Sequence, residues 1–168
     1  ADGRYFTKVT DDSFDWAGLE KNAGYIRDFF AASGKPCTAL IVPSPAGILR
    51  DMLPENAPYF DEDNAFGQLS DILGSTLLDS RETLSAVDDP YYHTDHWTTM
   101  GAQAAYTLWA QATGHTARSY DLTLATDSFR GTLYSKVLLP DSVYDSVYYA
   151  PEITVESVVC DGKDGVLY

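Results

Sequence analysis

Basic charge is what this sequence has least of. Eleven lysines and arginines stand against 25 aspartates and glutamates, a formal net charge of −14 over 168 residues. Neutralising a phosphate backbone needs a basic stripe, and the lack of one excludes nucleic acid as a partner. The same deficit disfavours docking on anionic membranes and reads first as an acidic, solvated surface. Long hydrophobic runs are missing as well. No stretch approaches about 18 apolar residues, so no segment is predicted to span a membrane. Cysteine is nearly absent, with two copies. Cys37 sits in the apolar run CTALIV and is predicted to be a buried thiol, and Cys160 falls in a late strand. A disulfide between them has no support in the sequence.

What is present suits one domain, or one domain with a small appendage. The chain is 45% hydrophobic, enough to build a core, and its 12 tyrosines suit carbohydrate or protein contact surfaces. DDSFDWAGLEKNAGYIRDFFAASGK predicts an amphipathic helix, with Trp16, Leu19, Ala23, Ile26 and Phe30 at spacings of three and four. Asp12 or Ser13 is expected to cap it and Gly34 to stop it. PCTALIVPSPAG then predicts a buried parallel strand, and a strand reached through a helix opens a doubly wound α/β sheet. A second helix runs through Phe66, Leu69, Ile72 and Leu73 into a short strand near Leu77 and Leu78. SRETLSAVDDP is expected to make a helical turn before Pro90. TMGAQAAYTLWAQATG predicts a helix with an apolar face of Ala102, Ala105, Tyr106 and Trp109, ended by Gly114. From residue 141 the period changes to two, through Ile153, Val155, Ser157 and Val159, with DGKDG as a hairpin turn. The expected organisation is an α/β core over 1–140 and an antiparallel β extension over 141–168.

Between those elements lies YYHTDHWTTMGA, residues 91–102, which holds two of the three histidines in the chain. Three readings fit it, two of them chemical. A serine esterase needs an imidazole to take the serine proton and a carboxylate or carbonyl to fix the tautomer, and Asp95 and His96 offer both groups from one loop. A metal site would draw on His93, Asp95 and His96 with Asp88 or Asp89, although the spacing matches no familiar two-histidine motif. The plain structural alternative makes Thr94, Asp95 or Thr98 the N-cap of the helix that follows, with Tyr91, Tyr92 and Trp97 as core or rim aromatics.

The same stretch, continued as YYHTDHWTTMGAQAAY, resembles the signature of the DHHW proteins. These are surface-associated proteins of Gram-positive bacteria, related to the alginate O-acetyltransferase group of SGNH-like hydrolases. Their signature runs Tyr-Tyr-x-Thr-Asp-His-His-Trp-Thr, followed by a Gly-Ala that opens a helix. ADGRYFTKV, ALIVPSPAGILRDMLPENAP and DSFRGTLYSKVLLPDSVYDSVYYAP resemble further family segments in the same order, so the resemblance covers nearly the whole chain. It implies a three-layer SGNH or flavodoxin-like doubly wound sheet, to which the antiparallel extension read from the period-2 pattern is appended. It also implies a Ser-His-Asp triad acting without a cofactor or metal, on a cell-surface polysaccharide or acyl donor outside the cell. By residue, it matches His96 to the general base and Asp95 to its partner, with Tyr92, His93 and Trp97 beside the substrate.

The chain departs from that pattern twice. One residue is missing between Asp95 and Trp97, which leaves Asp95 and His96 adjacent and puts Thr94 at the usual acid position. Adjacent residues in extended backbone point apart. The family's serine segment, Gly or Lys followed by Asp-Ser, has no counterpart in these 168 residues. Ser128 in LATDSFRG imitates a nucleophile turn, but Phe129, Gly131 and Thr132 also fit the family's Phe-x-Gly-Thr stretch. Ser44 in VPSPAG follows the first strand, where flanking prolines suggest a loop or cap. The expectation is therefore a carbohydrate O-acyl, by the resemblance O-acetyl, esterase or transferase domain of a bacterial surface protein that lacks its nucleophile in this chain. The alternative is a binding module of the same fold, with Tyr91, Tyr92, Trp97, Tyr148 and Tyr149 as a sugar-stacking face.

Overall fold

Helix α1, Trp16–Ser33, begins where Asp15 accepts a hydrogen bond from the Gly18 amide at 2.8 Å. In this computed structural model, which describes residues 3–137, 143–152, 158–160 and 163–165, that makes Asp15 the cap. Ser13, expected in that role, is taken up by a turn in which its hydroxyl accepts from the Thr10 amide at 2.8 Å. Gly34 ends the helix in the left-handed conformation at φ 62°, which glycine adopts without a Cβ penalty. The face predicted from spacing is the one that packs: Ala23 is buried, and Leu19, Ile26 and Phe30 lie against Leu69 and Leu73 of α3, Glu62–Leu73.

Strand β1, Ala39–Ile41, pairs in parallel with β2, Leu77–Asp79, in the register Ala39↔Leu77 to Ile41↔Asp79. Between them run the short helix α2, Pro45–Ile48, the helix α3 and two 3-10 turns, so the pair is a β-α-β unit closed over the α1–α3 core. Asp61 caps α3 by accepting from the Asn64 amide at 2.9 Å. Cys37 precedes β1 and is half-buried with a free thiol, not enclosed as its apolar surroundings suggested, because the strand proper starts two residues later. The side chain of Cys160 lies outside the described residues.

Helix α4, Arg81–Ser85, leads into the histidine stretch, and α5, Thr99–Ala112, leaves it. The buried face of α5 is Gly101, Ala105 and Ala110 rather than the predicted run to Trp109. Small residues let this helix approach the chain before it so closely that a Cβ at Gly101 would collide with the Pro90 carbonyl oxygen. Trp109 is turned outward at 37% exposure, stacked between Tyr106 and His115.

The rest is antiparallel. β3, Thr123–Phe129, pairs with β4, Asp145–Tyr149, through two irregularities in register, and α6, Thr132–Val137, follows β3. β5, Val158–Cys160, and β6, Lys163–Gly165, make the hairpin expected around DGKDG. Ile153, Val155 and Ser157, part of the predicted alternation, lie outside the described residues. Among the described residues the strands form three two-stranded sheets, a mixed α/β arrangement that does not itself draw a continuous doubly wound sheet.

Candidate active site

Residues 91–97 form a tight loop closed by an antiparallel bridge between Tyr91 and Trp97 and by the Tyr92 amide donating to the His96 carbonyl at 2.9 Å. Thr98 joins the loop to α5: its hydroxyl caps the helix by accepting from the Gly101 amide at 3.1 Å and donates to the Asp89 carbonyl at 2.6 Å. Of the three caps proposed from sequence, Thr98 is the one used. Tyr91 reaches back to the end of β1 and donates to the Pro43 carbonyl at 2.5 Å. Burial pushes its phenol pKa up, which keeps the donor protonated. An N-terminal strap ties the loop from the other side. The Arg4 guanidinium donates to the Tyr91 and Tyr92 carbonyls at 2.9 and 2.6 Å, and the Tyr5 amide donates to the His93 carbonyl at 2.9 Å.

The segment from β3 to β4 supplies the remaining contacts. Phe129 packs edge-on against buried Tyr92 at 5.2 Å between ring centroids. Gly131 lies against Thr94 so closely that a Cβ there would overlap the Thr94 hydroxyl. The Thr132 hydroxyl donates to Asp95 at 3.0 Å, and Thr99 donates to the Tyr148 carbonyl at 2.6 Å. Asp145, the first residue of β4 and 5% exposed, receives the His93 amide at 3.0 and 3.1 Å and lies 2.7 Å from His93 Nδ1. The Phe-x-Gly-Thr stretch is therefore the seat of the histidine loop.

The two histidines are held differently. His93 is oriented by a buried carboxylate at Nδ1. His96 stands at the rim with its side chain 63% exposed, and its Nε2 lies 4.0 Å from Asp95 Oδ1, beyond hydrogen-bond range. Asp95 turns instead to Thr132. Thr94 is buried at 2% exposure, and its hydroxyl has no hydrogen-bond partner among the described residues. His93, Asp95 and His96 do not converge, and no group of three metal-ligating side chains gathers among the described residues.

His96 and Trp97 open on a cleft of about 500 Å³ whose far wall is the end of β1 with Ser44 and Glu62. Ser44 caps α2, its hydroxyl accepting from the Gly47 amide at 3.1 Å. Its own amide and hydroxyl turn to buried Glu62, at 2.8 and 3.3 Å. Tyr59 donates to the same carboxylate at 2.5 Å, and burial together with that bond raises the Tyr59 pKa. Ser128 is remote from this arrangement in kind: it sits inside β3 with its hydroxyl 2.9 Å from Thr126 Oγ1. Tyr148 and Tyr149 alternate as strand neighbours do, and Tyr149 is 50% exposed.

Two functional-looking acids escaped the sequence reading. Asp145 carries a weak signal, an aspartate opening a strand otherwise built of valine and tyrosine. Glu62 carries none, being one acid among several in DEDN.

No family model matches the sequence, and no curated protein matches it. The chain is similar in fold to Bacillus cereus PatB1. The solved structure is that of PatB1 with a sulfonyl adduct, and it superposes with a TM-score of 0.62 at 14% sequence identity. The match covers 91% of this chain and 56% of PatB1, so this chain spans little more than half of PatB1's length. At that identity the likeness to PatB1 shows the fold.

Proposed function

We propose that this chain is the imidazole-bearing part of an SGNH-like O-acyl esterase or transferase acting on a carbohydrate at the cell surface. The observation that carries the reading is the site itself. A histidine matching the family base stands on a cleft at the carboxyl end of a parallel strand, where α/β folds take their ligands. The likeness to PatB1 supports it, since a sulfonyl adduct is what a sulfonylating reagent leaves on a nucleophilic side chain. In this reading His96 takes the proton of a hydroxyl as that oxygen bonds to the acyl carbonyl carbon. It returns the proton to the departing alcohol oxygen as the old ester C–O bond breaks. Asp95 acts on the imidazolium through space at 4.0 Å, and Trp97 and His93 flank the sugar. This reading takes the nucleophile from outside these 168 residues, which the engagement of Ser44 as a cap and the place of Ser128 within a strand support. The continuous doubly wound sheet then belongs to the whole protein.

The test is p-nitrophenyl acetate hydrolysis, with mass-spectrometric detection of sulfonyl fluoride capture. The full-length protein is expected to turn over and to be labelled, and His96→Ala to abolish both while the melting temperature holds. The 168-residue chain alone is expected to show background turnover. Activity retained in His96→Ala sinks the assignment of the base; a serine burst from this chain that Ser128→Ala removes sinks the external nucleophile. A second reading, a polysaccharide-binding module without catalysis, draws on the 63% exposure of His96 and its lack of a hydrogen-bonded carboxylate. Sugar binding by a full-length protein that neither hydrolyses nor labels would establish that second reading.

A further inference from the structure

His96 is placed by backbone. No side chain among the described residues hydrogen-bonds its imidazole, and Asp95 Oδ1 stands 4.0 Å from its Nε2. What fixes the residue is its carbonyl, which accepts from the Tyr92 amide at 2.9 Å, and its neighbour Trp97, bridged to Tyr91. Tyr91 and Tyr92 form the opposite limb of the loop, so whatever holds that limb holds His96.

Arg4 holds it. Its Nη1 donates to both carbonyls, Tyr91 at 2.9 Å and Tyr92 at 2.6 Å, and its Nη2 lies 3.5 Å from Asp89 Oδ1, just ahead of the loop. The side chain is 5% exposed, and its Nε has no partner among the described residues. Burying a guanidinium with one N–H unpaired costs free energy that a well-packed apolar side chain would not. What the guanidinium supplies in return is geometry, a rigid planar fork that fixes two successive carbonyls and faces one carboxylate. We infer that Arg4 is a positioning residue for His96, setting the imidazole against the cleft through the Tyr91–Tyr92 limb. The inference rests on the acyl-transfer reading above and adds the group that makes an exposed, unpaired histidine competent.

Magnitude follows from how steeply catalysis depends on placement. A misplacement of about 1 Å costs on the order of 100-fold. Cutting the Arg4 side chain leaves the strap attached, because the Tyr5 amide still donates to the His93 carbonyl at 2.9 Å. Arg4 also lines a pocket of about 380 Å³ between the strap and Leu53, Pro54 and Pro58. The hole left by its side chain therefore opens on that pocket, and a free guanidinium ion can enter it.

The experiment is kcat and KM of the full-length protein on p-nitrophenyl acetate, with and without millimolar guanidinium chloride. Arg4→Ala is expected to lower kcat about 100-fold with KM within about twofold, and guanidinium to restore at least about tenfold of that. Wild-type turnover should be unmoved by the same addition. Deuterium exchange at the Tyr92 amide is expected to quicken in Arg4→Ala and to slow again with guanidinium. A merely structural arginine gives the opposite pattern, a lowered melting temperature and no rescue, because guanidinium weakens folds. Should Arg4→Ala fail to fold, Arg4→Lys carries the test. It keeps the charge toward Asp89 and loses the fork, and a fall in kcat of about tenfold is expected. An active wild type with kcat unchanged in either variant, or a fall in Arg4→Ala that guanidinium leaves in place, overturns the positioning role and leaves the acyl-transfer reading standing. A wild type that neither turns over nor is labelled by a sulfonyl fluoride sinks that reading, and the inference with it.

Discussion

Replacing Asp145 tests whether β4 holds the histidine loop. Its carboxylate is buried and meets two groups of one residue, the His93 amide at 3.0 and 3.1 Å and His93 Nδ1 at 2.7 Å. Hydrogen bonds to a charged group contribute about 1.5–3 kcal/mol each, and a donor left unpartnered in a buried site adds its desolvation cost. The His93 side chain is 22% exposed, so water recovers part of the ring's loss. Asp145→Ala should therefore cost about 3 kcal/mol, and Asp145→Asn, which keeps one acceptor, about half of that. At a urea slope of about 2 kcal/mol/M, the alanine variant moves the unfolding midpoint down by about 1.5 M. A double-mutant cycle with His93→Ala should return a coupling of about 1–2 kcal/mol. The amide of residue 93 should also exchange with deuterium faster in Asp145→Ala, while the amide of Thr98, which donates to the Pro90 carbonyl at 2.9 Å, keeps its protection. A loss under about 0.5 kcal/mol, or a coupling of zero, would refute the anchoring of the loop by β4.

Three further outcomes follow from the same contacts. Gly101→Ala drives a methyl group into the Pro90 carbonyl, so α5 must shift; about 2–3 kcal/mol is lost, read as a fall of about 5–10 °C in melting temperature. Tyr91→Phe leaves the Pro43 carbonyl without its donor and costs about 1–2 kcal/mol by urea denaturation, and the wild-type phenol stays silent in an alkaline absorbance titration until the fold is lost. Burial raises the Asp89 pKa above the usual carboxylate range against the opposing pull of Arg4. Its share of stability is therefore complete below the unfolded value and lost as pH rises through the folded one. Asp89→Asn should flatten that limb of the urea midpoint, by a small amount because the side chain is 49% exposed.

Local pattern was sufficient for the elements and insufficient for their partners. The face of α1 was legible because Leu19, Ala23, Ile26 and Phe30 recur at the helical period, and the period reports burial directly. Asp15 does not stand out as the cap in the sequence because Asp12 and Ser13 are equally good acceptors, and only the local turn at Thr10 takes Ser13 out of the competition. On α5 the large residues misled: Tyr106 and Trp109 share an edge of the helix, but the close approach to Pro90 is possible only on the side of Gly101 and Ala105. The pairing of β3 with β4 joins residues on both sides of position 140, a link between distant stretches that no window of sequence contains.

The histidine loop shows why motif and geometry part here. Its ends are fixed, by the Tyr91–Trp97 bridge on one side and the Thr98 cap on the other. Within such a closed loop the backbone cannot slide, so the fixed ends set which way each side chain faces. Asp95 is delivered to Thr132 and His96 to the cleft, and the 4.0 Å between them is the result. The imidazole that does receive a buried carboxylate is His93, three residues earlier, through an aspartate 52 positions away. Asp95 and His96 are thus both present in the loop, while the close carboxylate–imidazole contact is between Asp145 of β4 and His93. The loop therefore presents an exposed imidazole, His96, beside a carboxylate, Asp95, that is fastened to Thr132. The chemistry that remains to His96 depends on what the cleft brings to its Nε2.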